Sequence, residues 1–354
     1  MPAADACAIL QNTTKTVPVE QAVGMVLPHD ITEIVRDVRK GRAFKKGHII
    51  RPEDVETLRR LGKEHIYVLQ LGPDEVHENE AARHCARALA GEGVQHGDEP
   101  SEGKIAFTAG RDGLLKVNRE ALLDFNMLGE VMCATLQDNT PVRQGEQIGA
   151  TRLIPLVARR ALVEEAVAGL QAAEPVLRVL PLRKAQAGLI ITGNEVYSGR
   201  IKDCFEEVLR AKLDGLGASV VQVRFAPDDP GQIATEIRSC LEAGADLIIT
   251  SGGMSVDPDD VTRLGIQRAG ADQLVYGSPV LPGAMFAVAR IGTVPVLGLP
   301  ACGMFHGITV FDLILPRILA GEEIGRKELA ALGHGGFCRN CQNCQYPVCS
   351  FGKC

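Results

Sequence analysis

Two uninterrupted apolar runs, AGLIITG (187–193) and DLIITSGG (246–253), restrict the fold more than any other feature of this chain. Neither alternates apolar with polar residues. Each therefore suits a strand buried on both faces, as in a parallel sheet covered by helices. The segments between and beyond them supply the helices. DCFEEVLRAKLDGLG (203–217) stops at glycine, and DPGQIATEIRSCLEAG (229–244) has Pro230 early and Gly244 after its end. SVVQVRF (219–225) reads as another strand, PDDVTRLGIQRAG (258–270) as a helix and MFAVARIGTVPVLGLP (285–300) as a hairpin. GMFHGITVFDLILPRILAG (303–321) reads as an apolar closing helix. Strands alternating with helices predict an α/β fold: a three-layer α/β/α sandwich with a mostly parallel sheet.

A chain of 354 residues is too long for one ordinary core. Residues 1–100 read as an N-terminal α+β segment, with HIYVLQL (65–71) as a strand, and RPEDVETLRRLG (51–62) and DEVHENEAARHCARALAGEG (74–93) as helices. The linker GDEPSEG (97–103) leads into a small β-rich module, 101–182, which ends in the helix VARRALVEEAVAGLQAAE (157–174). The α/β domain then occupies 183–325 and a cysteine-rich tail 326–354. A net charge of −6 argues against general binding to nucleic acid or anionic membrane, and the absence of Trp makes base stacking an unpromising role. MPAADACAIL lacks the pattern of a secretory signal and no apolar run is long enough to span a bilayer, which predicts a cytoplasmic protein with reduced thiols.

Open α/β sheets bind ligands beyond the carboxyl ends of their strands. Two loops fall there. In TSGGMSVDPDD (250–260), Ser251, Gly252, Gly253 and Ser255 suit close approach of backbone N–H groups to an anion, although strand-Gly-Gly-helix is also an ordinary tight turn. Asp257, Asp259 and Asp260 crowd beside it; one of them suffices to cap a helix, and a divalent ion bridging phosphates would relieve the repulsion of the rest. In TGNEVYSGRIKD (192–203), Thr192, Gly193, Asn194, Glu195, Ser198 and Asp203 offer similar chemistry, with Asp203 also placed to cap the next helix.

Residues 187–320 resemble the molybdopterin-binding domain shared by molybdopterin adenylyltransferases, the gephyrin-like molybdopterin molybdotransferases and the competence-damage-inducible family. TGNEVYSGRIKD is similar to that family's TG-[DN]-E…G-x-I-x-D, and SGGMSVDPDDVT to its GG-[TV]-[SG]…D-[VT]-T. GMVLPHDIT…FKKGHIIRPEDVETLRRLG…IYVL looks like flanking segments of the molybdotransferases, without their large insertion. The resemblance implies a role in molybdenum cofactor biosynthesis: binding molybdopterin or adenylyl-molybdopterin, with Mg2+, and promoting molybdate insertion as a transferase. It implies Asp203 and Asp260 as catalytic carboxylates holding the cation or positioning the phosphoryl group. Gly252, Gly253 and Ser255 would line the phosphate site and Glu195 is the first-loop carboxylate. Thr192, Gly193, Asn194, Ser198, Ser251, Asp257, Pro300 and Cys302 complete the implied cofactor-binding set. It further implies a homo-oligomer that serves a recipient molybdoenzyme. The chain departs from the molybdotransferases at Pro282-Gly283-Ala284-Met285, where they show Pro-Gly-Lys-Pro. It departs again at Leu299-Pro300-Ala301-Cys302-Gly303, where they show Leu-Pro-Gly-Asn-Pro, and at Asp257, where glycine is usual. These changes leave open a non-catalytic carrier or sensor of the cofactor, and a nucleotide pyrophosphatase is a third possibility. Cys302 reads either as a small buried hydrophobe or as a thiolate favoured by a helix start.

Five of the eleven cysteines lie in the last seventeen residues. Cys338, Cys341, Cys344 and Cys349 follow C-x2-C-x2-C-x4-C, with Cys354 beyond. In a reducing compartment this reads as metal ligation, either Zn2+ or an iron–sulfur cluster, the close x2 repeats being nearer the latter. Redox-active thiols or an unstructured tail are the plainer alternatives.

Overall fold

The computed structural model describes residues 14–35, 39–69, 71–101, 103–255, 257 and 260–353. Asp259 and Cys354 lie outside them. The described residues fall into two compact units: one draws on residues up to 110 with 116–136 and 144–179, and the other on 111–115, 137–143 and 180 onward.

The second unit contains the α/β domain. Its strands are β1 (Gln186–Thr192), β2 (Ser219–Ala226), β3 (Leu247–Ser251), β4 (Asp272–Tyr276), β5 (Ala287–Ile291) and β6 (Val294–Leu299). Its helices are α1 (Asn194–Tyr197), α2 (Phe205–Asp214), α3 (Pro230–Glu242), α4 (Thr262–Arg268), α5 (Val310–Leu319) and α6 (Arg326–Ala331). The six strands make one sheet in the order β2-β1-β3-β6-β5-β4. The β2/β1, β1/β3 and β3/β6 pairs are parallel, and the β6/β5 hairpin and β5/β4 pair are antiparallel. Strand periodicity sends neighbouring side chains to opposite faces. Leu189, Ile191, Leu247, Ile249, Leu297 and Leu299 accordingly enter one core with α2, α5 and α6. Ile190, Ile248 and Val296 enter another with α3 and α4. The apolar runs of the sequence are continuous because both faces are covered, and the result is the expected α/β/α sandwich.

Local chemistry sets the helix ends. Asp229 caps α3 by accepting the Gln232 N–H at 2.8 Å, with Pro230 in the first turn. The closing helix is shorter than its apolar sequence suggests. Ala301–Met304 forms a 3-10 turn, and α5 starts only at Val310, where the Thr309 hydroxyl accepts the Phe311 N–H at 3.2 Å and Asp312 accepts the Thr309 N–H at 2.7 Å.

The other unit is built mainly from antiparallel strands and helices. Thr14–Pro18 pairs with His65–Leu69, and Val17, Ile66 and Val68 join Leu58 of the helix Asp54–Arg60 in a small core. Four antiparallel strands follow in the order Val94–His96, Lys104–Ala109, Gln147–Leu153, Val131–Thr135. Within this β-rich stretch stands a helix absent from the sequence reading, Arg119–Met127, capped by the Asn118 side chain. No helix among the described residues is long and apolar enough to cross a membrane.

Candidate functional site

Parallel pairing places the ends of β1 and β3 side by side, with Ile191 opposite Ser251, so the turns after them emerge at the same edge of the sheet. A small hydroxyl network ties the two turns together. The Thr192 hydroxyl donates to the Ser251 carbonyl at 3.0 Å and lies 3.0 Å from the Thr262 hydroxyl at the start of α4; all three residues are buried. The Thr262 N–H in turn reaches the Gly253 carbonyl at 3.3 Å. Both glycines are obligatory here. Gly252 and Gly253 have φ of 90° and 56°. A Cβ would stand 2.6 Å from the Thr192 carbonyl oxygen at Gly252, and 2.4 Å from the Thr262 hydroxyl at Gly253. The pair is partly exposed and the following Met254 is buried; the Gly252 N–H donates to the Leu299 carbonyl at 3.2 Å. The Ser251 hydroxyl, at the root of the turn, is buried with no partner among the described residues.

The first turn is also linked to the turn after β2. The Asn194 N–H donates to Asp228 at 2.9 Å and the Asp228 N–H to the Asn194 side chain at 3.2 Å. Gly193, at φ 134°, admits the Glu195 carboxylate: a Cβ there would lie 2.8 Å from a Glu195 oxygen. Ser198 is spent locally, its hydroxyl donating to the Asn194 carbonyl at 2.6 Å. Ser255 and Asp257 are exposed on the second turn.

The sequence implied a divalent ion between the two loops; among the described residues, the carboxylates of Asp203 and Asp260 both make local hydrogen bonds. Asp203 spends both oxygens on the first turn of α2, accepting the Phe205 N–H at 2.9 Å and the Glu206 N–H at 3.0 Å. Asp260 closes its own turn: its carboxylate accepts the Asp257 N–H at 3.2 Å and its N–H donates to the Asp257 carbonyl at 2.9 Å. Among the described residues, no three or more His, Cys, Asp or Glu side chains form a group suited to hold a metal ion. That includes Cys338, Cys341, Cys344 and Cys349, which instead border one hollow and carry free thiols. Such bonds satisfy backbone donors that would otherwise be orphaned and leave further carboxylate lone pairs unoccupied.

Cys302 follows Pro300 in the four-residue 3-10 turn, too short to build an appreciable dipole. Burial pushes its thiol above the ordinary value, while backbone contacts at Cys302 and Gly283 pull the other way without cancelling the effect. The raised value favours the protonated thiol over the thiolate alternative.

One cation beside the glycine turn was missed in the sequence. The Arg263 guanidinium lies 4.1 Å from the centroid of the Tyr276 ring, and the Tyr276 hydroxyl donates to the Met254 carbonyl at 2.7 Å. The Arg263 Nε is buried without a partner among the described residues. Tyr276 belongs to β4, an antiparallel edge strand that the sequence reading left unassigned, so only the fold reveals the pair.

Comparison with known proteins gives this rim a context. Residues 188–320 match the family described as "Probable molybdopterin binding domain", and residues 16–70 match a "Domain of unknown function (DUF8806)". A CinA-like protein of Mycobacterium leprae is 38% identical over 78 residues, 22% of this chain and 18% of that protein. A CinA-like protein of Mycobacterium tuberculosis is 36% identical over 91 residues, 26% of this chain and 21% of that protein. The chain thus spans about a fifth of the length of these curated relatives. Among solved structures, the molybdopterin biosynthesis enzyme MoaB of Thermus thermophilus aligns with TM-score 0.34 and 23% identity over 39% of this chain and 98% of its own. The molybdopterin biosynthesis protein MoeA of Pyrococcus horikoshii aligns with TM-score 0.33 and 16% identity over 91% of this chain and 79% of its own. Residues 188–320, which carry the joined turns at their sheet edge, thus match a probable molybdopterin-binding domain over little more than a third of the chain.

Proposed function

We propose that the turns after β1 and β3 bind a phosphorylated pterin, either molybdopterin or adenylyl-molybdopterin, and that the chain acts in molybdenum cofactor biosynthesis by promoting molybdate insertion. One observation carries this reading: the Gly252-Gly253 turn, with no room for a Cβ, is locked to the first turn through Thr192 and Thr262. The Gly252 N–H is held by the Leu299 carbonyl at 3.2 Å, which leaves the backbone N–H groups from Gly253 onward to face an anion. Arg263 adds a fixed positive charge beside it, in place of the lysine absent at Ala284. Ser251, with its spare buried hydroxyl, is suited to hydrogen-bond the guest. Asp260 is the carboxylate on the ligand-facing turn that the molybdate step would use to position the phosphoryl group.

A carrier that holds the finished cofactor without turnover is favoured by one specific observation: both Asp203 oxygens accept backbone N–H groups at the start of α2. The two readings separate in a single assay. The full chain, purified without oxygen, is given adenylyl-molybdopterin and molybdate, and released AMP is measured for wild type, Asp260→Asn and Asp203→Asn. Under the enzyme reading, wild type releases AMP and Asp260→Asn binds pterin without releasing it. Tight pterin binding with no AMP from wild type would establish the carrier. Failure of the wild-type chain to retain any pterin would sink both.

A further inference from the structure

We infer that the C-terminal cysteines build a site for a [4Fe–4S] cluster, in a hollow separate from the glycine turns. Cys338, Cys341, Cys344 and Cys349 all line one cavity of about 270 Å3, with Phe305 and His306 on another wall. This tail is not an appendage. Its Cys338 N–H donates to the Leu281 carbonyl at 2.8 Å, and the Leu281 N–H donates to the Gly336 carbonyl at 2.8 Å. At the far end, the Gly352 N–H reaches the Gly335 carbonyl at 3.0 Å, and Phe351 is only 3% exposed in the core beside α5. Gly352 lies so close to Leu313 that a Cβ would come within 2.3 Å of that side chain.

The segment is therefore pinned at both ends, while the arc between them has no helix or strand and leaves Cys341 and Cys344 exposed. An ordered arc of about a dozen residues without regular structure is uncommon and is usually kept for function. Apart from half-buried Tyr346 and Cys349, this one has little apolar side-chain core of its own. An inorganic centre bonded to four thiolates would supply that core.

The spacing favours a cluster over a single ion. Structural zinc sites usually take their cysteines as separated pairs. Here the four cysteines follow one another closely and border a single hollow. Four thiolates spread around a polynuclear core, three of them in C-x2-C-x2-C spacing, is the arrangement of iron–sulfur ligation. The wall formed by Phe305 and His306 continues the loop that leaves β6 at Leu299, whose carbonyl accepts the Gly252 N–H at 3.2 Å. The centre would thus share one loop with the glycine turn.

The test needs no pterin, so it stands or falls apart from the proposed function. The full chain is purified without oxygen and reconstituted with ferrous iron and sulfide. Iron, acid-labile sulfide and zinc are then measured, with visible absorption and the electron paramagnetic resonance spectrum of the reduced protein. About four iron and four sulfide per chain are expected, with at least a threefold loss in Cys341→Ser and in Cys344→Ser. Both positions are exposed, so unchanged thermal unfolding of the unloaded variants excludes misfolding as the cause. Cys204→Ser, an exposed thiol outside the tail, should retain full iron. One zinc per chain in place of iron, iron content unaffected by the two tail variants, or no metal after reconstitution would each overturn the proposal.

Discussion

At the scale of single residues, the site depends on atoms that are missing. Gly252 and Gly253 allow the turn to approach Thr192 and Thr262 because they lack a Cβ, and their left-handed φ values penalise any substitute. Gly253→Ala should weaken pterin binding by at least tenfold, about 1.4 kcal/mol, with little loss of bound pterin in a conservative surface control such as Lys327→Arg. Fluorescence of the oxidised, released pterin measures it. Arg263→Met should also weaken binding by about tenfold and flatten its salt dependence, whereas Arg263→Lys should keep part of both because the cation over Tyr276 remains. Cys302 offers a test by pH. Its thiol pKa is raised, so the reactive thiolate forms only above the ordinary cysteine range. Alkylation of Cys302 should be slower at pH 7.5 than that of exposed Cys204, and its rate should still be climbing where that of an ordinary thiol levels off. Of these residues, the glycines and Thr192 were legible because a turn of this kind needs residues of their size and polarity. Arg263 was not, because a cation gains meaning only when a distant strand brings Tyr276 beneath it.

At the scale of elements, the acidic loops show how one residue type serves two ends. Asp203 sits where the resembled family keeps an acid, and here it holds the first turn of α2. Asp203→Ala should lower the stability of the second unit by about 1 kcal/mol, read from urea unfolding, and Asp203→Asn by less, since the amide oxygen still caps. A role confined to ligand binding would leave unfolding unchanged. Glu328 shows the same device in α6. Its carboxylate accepts the Gly325 N–H at 2.9 Å, and backbone hydrogen bonds hold its pKa below the ordinary 4.5. The folded carboxyl binds its proton less readily than the unfolded one. The stabilisation is therefore complete above the unfolded value of 4.5 and disappears as pH falls through the depressed folded value. Glu328→Gln should melt below wild type at pH 7, and the two melting temperatures should converge as pH falls through the depressed folded value. Strands β1, β3 and the β5/β6 hairpin could be read from apolar continuity, and α2 and α3 from their glycine stops. β4 and the Arg119–Met127 helix escaped because each is short and weakly patterned, and packing rather than periodicity decides such segments.

At the scale of the whole molecule, the tail belongs to the core of the second unit. Phe351 is buried beside α5 and α6 with Leu313 and Leu329. Phe351→Ala should destabilise that unit by about 3 kcal/mol or more, seen as loss of its unfolding transition at lower denaturant. A tail that merely hangs from the domain would tolerate the change. What the sequence by itself determined was the layered α/β sandwich, the two ligand-edge loops and the family they resemble. Apolar periodicity and glycine-bearing turns are local signals, and they survive without knowledge of contacts. Only the tertiary structure decided which cation stood beside the glycine turn and how the cysteine tail was built into the core. Both depend on residues far apart in the chain meeting in space, as Arg263 does with Tyr276, 13 positions on, and Gly352 with Leu313, 39 positions back. Pairings of that kind are settled by packing and burial, which no local pattern records.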